Sequence, residues 1–286
     1  MALSPLDRFT VVFAVLSSLA VLLRWPAGQG SPAALLLGGA ALVVVALAAP
    51  RLRAGGGALL RFLGDFYALL LAVGIYTGIG VLNRAAGVLH DARVQSWERA
   101  LFGTQPSMAW IRAQPYPWLS WPFHLAYLAY YFILAGAPLG LLLHGKRKEA
   151  GEAAALIMTS FYVCYTVFMF FPVAGPRYLF PLADNAATAT AVSRFTQRLL
   201  NSAGAWGTAF PSSHVAAALT AALAAGRGWR ALGALLLVMA VMLSLATVYC
   251  QFHYAVDATA GALVAAAVWA LRGRILTGPP LKGVES

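Results

Sequence analysis

The 286-residue chain is 61% hydrophobic and only 10% charged, with a mean hydropathy of +0.75. A soluble domain carries about 25% charged residues, so this composition excludes an ordinary water-soluble globule. Twenty Lys and Arg against nine Asp and Glu give a formal net charge of +11, but the bases punctuate long apolar runs instead of gathering on one solvated face. That pattern marks loops between membrane spans and predicts no nucleic-acid partner.

A crossing helix needs roughly 20 mostly apolar residues. Windows of that length predict an all-α polytopic bundle of about eight transmembrane helices, near 9–23, 31–49, 62–82, 118–143, 153–173, 209–226, 230–249 and 254–271. The first has no small-residue cleavage site before the second, so it reads as a retained helix. Gly55-Gly56-Gly57 and Gly226-Arg227-Gly228-Trp229 read as turns. Two connections are longer. In 83–117, Val94, Trp97 and Leu101 fall at i, i+3 and i+7, with Arg93, Glu98 and Arg99 elsewhere around the turn, which predicts an interfacial amphipathic helix over Asp91 to Gly103. In 174–208, Gly175, Pro176, Arg177 and Pro181 precede a mixed stretch holding Arg194, Arg198 and Asn201, long enough to reach across a pocket mouth. The chain therefore divides into N-terminal spans with the interfacial helix (1–117), a catalytic helical bundle (118–275) and a short tail (276–286). Cys164 and Cys250 sit in or beside apolar stretches and form no disulfide framework.

Alternating the spans puts twelve of the twenty Lys and Arg on the face that holds the N-terminus, among them Arg51, Arg53, Lys146, Arg147 and Arg227. By the positive-inside rule that face is cytoplasmic. Both termini then lie inside a plasma (cytoplasmic) membrane, and the two long connections lie outside.

Polar residues with no reason to be in so apolar a chain converge on the outer face. Arg177 follows the fifth span, His214 opens the sixth, and His253 with Asp257 opens the eighth. His253 and Asp257 are i and i+4, one above the other on a helix, so the carboxylate can hold one ring nitrogen and leave the other as a nucleophile. In Phe210-Pro211-Ser212-Ser213-His214, Ser212 is a helix N-cap whose following N–H groups suit an anion, and His214 is placed for proton transfer. The forked donors of Arg177 suit phosphate oxygens. Together these describe phosphoryl transfer through a phosphohistidine. Asp65 and His124, within spans, read as partners inside the bundle, and the run Tyr127, Tyr130, Tyr131, Phe132 as packing and interface anchoring.

These residues resemble the type 2 phosphatidic acid phosphatase and haloperoxidase superfamily, whose signatures are Lys-x6-Arg-Pro, Pro-Ser-Gly-His and Ser-Arg-x5-His-x3-Asp. Here the second reads Pro211-Ser212-Ser213-His214 and the third keeps His253-x3-Asp257. Gly175-Pro176-Arg177, Tyr249-x3-His253-Tyr254-x2-Asp257 and Leu101-Phe102-Gly103 look more like the branch containing inositol phosphorylceramide synthases. The resemblance implies His253 as nucleophile, Asp257 as its partner, His214 as general acid and base, and Arg177, Ser212 and Ser213 as phosphate binders, with no cofactor or metal. It implies a lipid phosphate in the membrane as substrate and an alcohol or inositol as a second acceptor beside water. Departures are plain: Phe170 stands in the Lys place, Tyr178 in the Pro place, Ala246-Thr247 in the Ser-Arg place, and Gln251 where the branch would carry Arg. Gln251, Tyr249, Arg194 and Arg198, with Arg84 and Arg93, are the further candidates for the missing contacts. Two other classes fit parts of the pattern: a transporter or non-catalytic lipid binder, and a metal hydrolase using His214, His253 and Asp257 as ligands, which chelators would distinguish.

Overall fold

The computed structural model describes residues 2–277, so most of the tail 276–286 lies outside the described residues. These residues form thirteen helices and no strand, only an isolated parallel bridge between Val173 and Thr208. The elements are α1 (Pro5–Arg24), α2 (Ala33–Ala54), α3 (Ala58–Ala86), α4 (Asp91–Phe102), α5 (Pro106–Ala113), α6 (Pro117–Leu128), α7 (Tyr130–Leu143), α8 (Arg147–Phe170), α9 (Pro176–Leu179), α10 (Ala191–Ala203), α11 (Ser213–Gly228), α12 (Arg230–Tyr249) and α13 (Ala255–Thr277).

Six of the described helices, α1, α2, α3, α8, α12 and α13, are long and apolar enough to cross a membrane, and the pair α6 and α7, bent by 44°, brings the number to seven when counted as one span. The chain is an integral membrane protein. The sixth expected span, 209–226, starts later than its apolar run, because Ser212 caps the helix by accepting the Val215 N–H at 3.4 Å. At 16 residues, α11 measures about 24 Å, less than the roughly 30 Å of a hydrocarbon core. It is instead the centre of the bundle, packed on α7, α8, α12 and α13. Its alanines, Ala216 to Ala218 with Ala221, Ala222 and Ala225, are all buried and allow close approach from every side. At Gly261 of α13 an added Cβ would stand 2.4 Å from the Ser212 carbonyl oxygen, so only glycine lets α13 meet the start of α11.

Polar groups gather at the two ends of the bundle. At one end Arg53 grips Asp7 through two hydrogen bonds of 2.8 and 2.6 Å, Asp65 pairs with Arg53 and Arg147, and Arg227 pairs with Glu152. At the other, Asn83 donates to the carbonyls of Phe168 and Gly207, both at 3.0 Å, and accepts from Arg24. Bonded charges of this kind satisfy one another where a lone one would be costly in an apolar phase. Asp65 is thus a partner inside the bundle, as its position in the sequence predicts.

Candidate active site

The site is assembled where α11 and α13 begin. Helix α12 ends in a turn in which the Phe252 and His253 N–H groups both donate to the Thr247 carbonyl, at 3.0 and 2.9 Å. Closing that turn requires Gln251 at φ 63°, a left-handed conformation that costs a residue with a Cβ about 1–2 kcal/mol. The Gln251 side chain offsets this by accepting from Arg112 and donating to the Pro181 carbonyl, each at 3.1 Å. The turn leaves His253 immediately before α13, whose first turn carries Asp257.

His253 Nδ1 lies 3.4 Å from Asp257 Oδ2, the oxygen that also accepts the Tyr254 N–H at 2.8 Å. Both residues are buried. The Asp257 carbonyl accepts the Ser212 N–H at 2.9 Å, which ties the start of α13 to the start of α11 and brings the His214 and His253 rings to 5.7 Å. Burial, and then the nearby Arg177 charge, push the His253 imidazole down to about 4, so the ring is neutral at ordinary pH. Arg177 extends from the short α9, where Gly175 at φ +91° leaves only 3.0 Å between an added Cβ and that of Ala209. Its guanidinium donates to Asn201 at 2.7 Å and lies over the Tyr178 ring at 4.7 Å.

These groups share one cavity of about 440 Å³, and Arg177, Ser213, His214 and His253 all line it. The rest of its wall is apolar and runs down α3, α7 and α8 through Phe62, Leu69, Val73, Leu134, Leu139 and Phe161. Helices α3 and α7 each pack on α8 and, among the described residues, scarcely on each other, so the apolar arm lies along a seam between them.

The other candidates fall away from this cavity. The Ser212 oxygen is engaged in capping. Tyr249 donates to the Gln114 carbonyl at 2.8 Å within a buried cluster, and Gln251 is bonded to Arg112 and Pro181. Arg194 and Arg198 lie exposed on α10, Arg84 lies over the Trp206 ring, and Phe170 is 46% exposed. His124 is bonded to Ser120.

Several contributors were not apparent in the sequence. In α4 the inward face is Asp91, Val94 and Glu98, and Leu101 is 66% exposed. Asp91 accepts from the Ala174 and Gly175 N–H groups at 2.8 and 2.9 Å and from the Tyr254 hydroxyl at 3.2 Å. Glu98 accepts the Ala255 N–H at 2.9 Å and so caps α13 from another helix; its burial holds its carboxyl above the usual range. One helix therefore joins the loop before Arg177 to the turn after His253. Tyr127 and Tyr130 also line the cavity, against His214.

A family model described as the PAP2 superfamily matches residues 92–271. The chain belongs to the PAP2 superfamily. No curated protein and no solved structure matches it. The match begins in α4 and ends in α13, so it takes in Glu98, the Arg177 loop and both histidines, and starts one residue after Asp91. PAP2 members are phosphatases or phosphotransferases, and an apolar, membrane-embedded bundle suits a lipid phosphate.

Proposed function

We propose that this PAP2 protein is a metal-independent lipid phosphatase that hydrolyses a lipid phosphate through a phosphohistidine at the outer face of the plasma (cytoplasmic) membrane, with residues 118–275 as the catalytic bundle and both termini inside. The observation that carries the reading is the shared cavity. Two histidines 5.7 Å apart, one backed by a buried carboxylate, sit with one arginine at the polar end of an otherwise apolar trench.

The lipid enters sideways along the seam between α3 and α7. Its phosphate meets Arg177 and the Ser213 end of α11, where unpaired backbone N–H groups favour an anion. Asp257 holds His253 Nδ1, leaving Nε2 to attack phosphorus as the bond to the lipid oxygen breaks. His214 gives that oxygen its proton, and the lipid leaves as an alcohol. A water then attacks the phosphohistidine, His214 takes its proton, and inorganic phosphate is released. The likeness to the inositol phosphorylceramide synthase branch supports an alternative ending in which an alcohol such as inositol replaces water. Phosphatidic acid, an isoprenyl phosphate and phosphatidylinositol, each supplied with and without inositol or glycerol, separate the two by partition. Free phosphate should dominate and persist in EDTA. Headgroup exchange without free phosphate would overturn the phosphatase reading and keep the site; loss of activity on chelation would point to a metal hydrolase.

A further inference from the structure

The broken span places two tyrosines around one histidine. Tyr127 and Tyr130 stand on either side of Ala129, where α6 gives way to α7 at 44°, and both are buried. The Tyr127 ring lies 5.5 Å from the His214 ring, stacked at 28°, and Tyr130 approaches to 4.4 Å at 44°. Tyr127 Oη is 3.5 Å from His214 Nε2, and among the described residues it is the one hydrogen-bonding partner of that ring. His214 Nδ1 is buried without a partner. An acid–base histidine depends on a second group to fix its rotation and tautomer. His253 has Asp257 for this; beside His214 the structure offers no carboxylate contact, only a phenol.

We infer that the Tyr127 hydroxyl is the positioning group for His214, holding the imidazole in the rotation and tautomer from which it exchanges a proton with the lipid oxygen and then with water. This rests on the acid–base reading of His214. With Nε2–H donating to the phenol oxygen throughout, the unpartnered Nδ1 is the nitrogen that gives its proton to the lipid oxygen and then takes one from water, so the tyrosine is unchanged after each turnover. Tyr130 supplies the opposing ring surface. The 3.5 Å separation suits a contact that shortens when an anion draws His214 toward its charged form.

Tyr127→Phe removes the hydroxyl and keeps the ring. In purified enzyme the expected result is a kcat at least about tenfold lower, part of the 10²–10⁴ that proton transfer contributes, with KM within about twofold and a displaced kcat–pH profile. Phosphate release by the unaltered protein is measured alongside: its absence would defeat the phosphatase reading itself. Normal release with an unaltered kcat and pH profile in Tyr127→Phe would overturn the positioning role and leave Tyr127 as packing. Should the variant fail to fold, fluorotyrosine at position 127 keeps shape and alters phenol acidity; a kcat–pH profile that does not move with that acidity would also overturn the inference.

Discussion

At the scale of single residues, burial decides the protonation state of His253. Its imidazole titrates near 4 in the folded protein against an ordinary 6.5. Between those values the unfolded chain binds a proton that the folded chain does not, so this residue's share of stability rises with pH across that window and is lost below it. Above about 4 the His253 ring is mostly neutral. In a His214→Ala background, where the second ring cannot titrate, the rate of phosphoenzyme formation should hold down to about pH 4 and then fall; a decline centred near 6.5 would mean that His253 is not buried as described. Overall turnover in that variant should be about 10²–10⁴-fold slower, because both proton transfers are lost. The sequence offers His214, His253 and Asp257 as candidates because their logic is local, an i, i+4 pair and a capped helix start, and the structure brings them with Arg177 to one place. Tyr127 was not, since an aromatic in an apolar run reads as packing until a bend in the helix turns it toward a histidine.

At the scale of elements, α4 shows what an amphipathic pattern leaves out. The sequence places an interfacial helix over Asp91–Phe102, which sets its stripe of Val94, Trp97 and Leu101 toward the membrane; Leu101 is exposed accordingly, but Val94 is buried beside Asp91 and Glu98. The two carboxylates point in, where backbone N–H groups need acceptors. Both carboxylates brace loops that α4 is remote from in sequence, a relation with no local signal. Likewise the apolar run at 209–226 overstates α11, because a capping serine decides where the helix starts. Asp91→Asn keeps the shape but exchanges one acceptor oxygen for a donor facing a backbone N–H. Loss of a charged, buried hydrogen bond costs about 1–3 kcal/mol, so thermal unfolding in detergent should come several degrees lower and phosphate release should fall with it. An unchanged midpoint and rate would mean that the brace does not hold the site.

At the scale of the whole molecule, the polar clusters divide the bundle into two ends, one rich in paired charges and one carrying the site. The charge bias predicts that the site end faces outward. A cysteine at the exposed Ala186, in a protein lacking Cys164 and Cys250, should label with an impermeant thiol reagent in intact cells; labelling only after lysis would reverse the orientation. Helix content and the membrane character were legible because hydropathy over 20 residues is a strong signal, whereas the seam between α3 and α7 depends on packing that no single segment encodes. The central claim is the covalent intermediate, and its most direct test is to quench the enzyme during turnover of a lipid carrying labelled phosphate. The account predicts a labelled protein whose adduct is stable in base and lost in acid, as a phosphoamidate is, and which is absent in His253→Ala. Label retained in His253→Ala would contradict it by placing the nucleophile elsewhere.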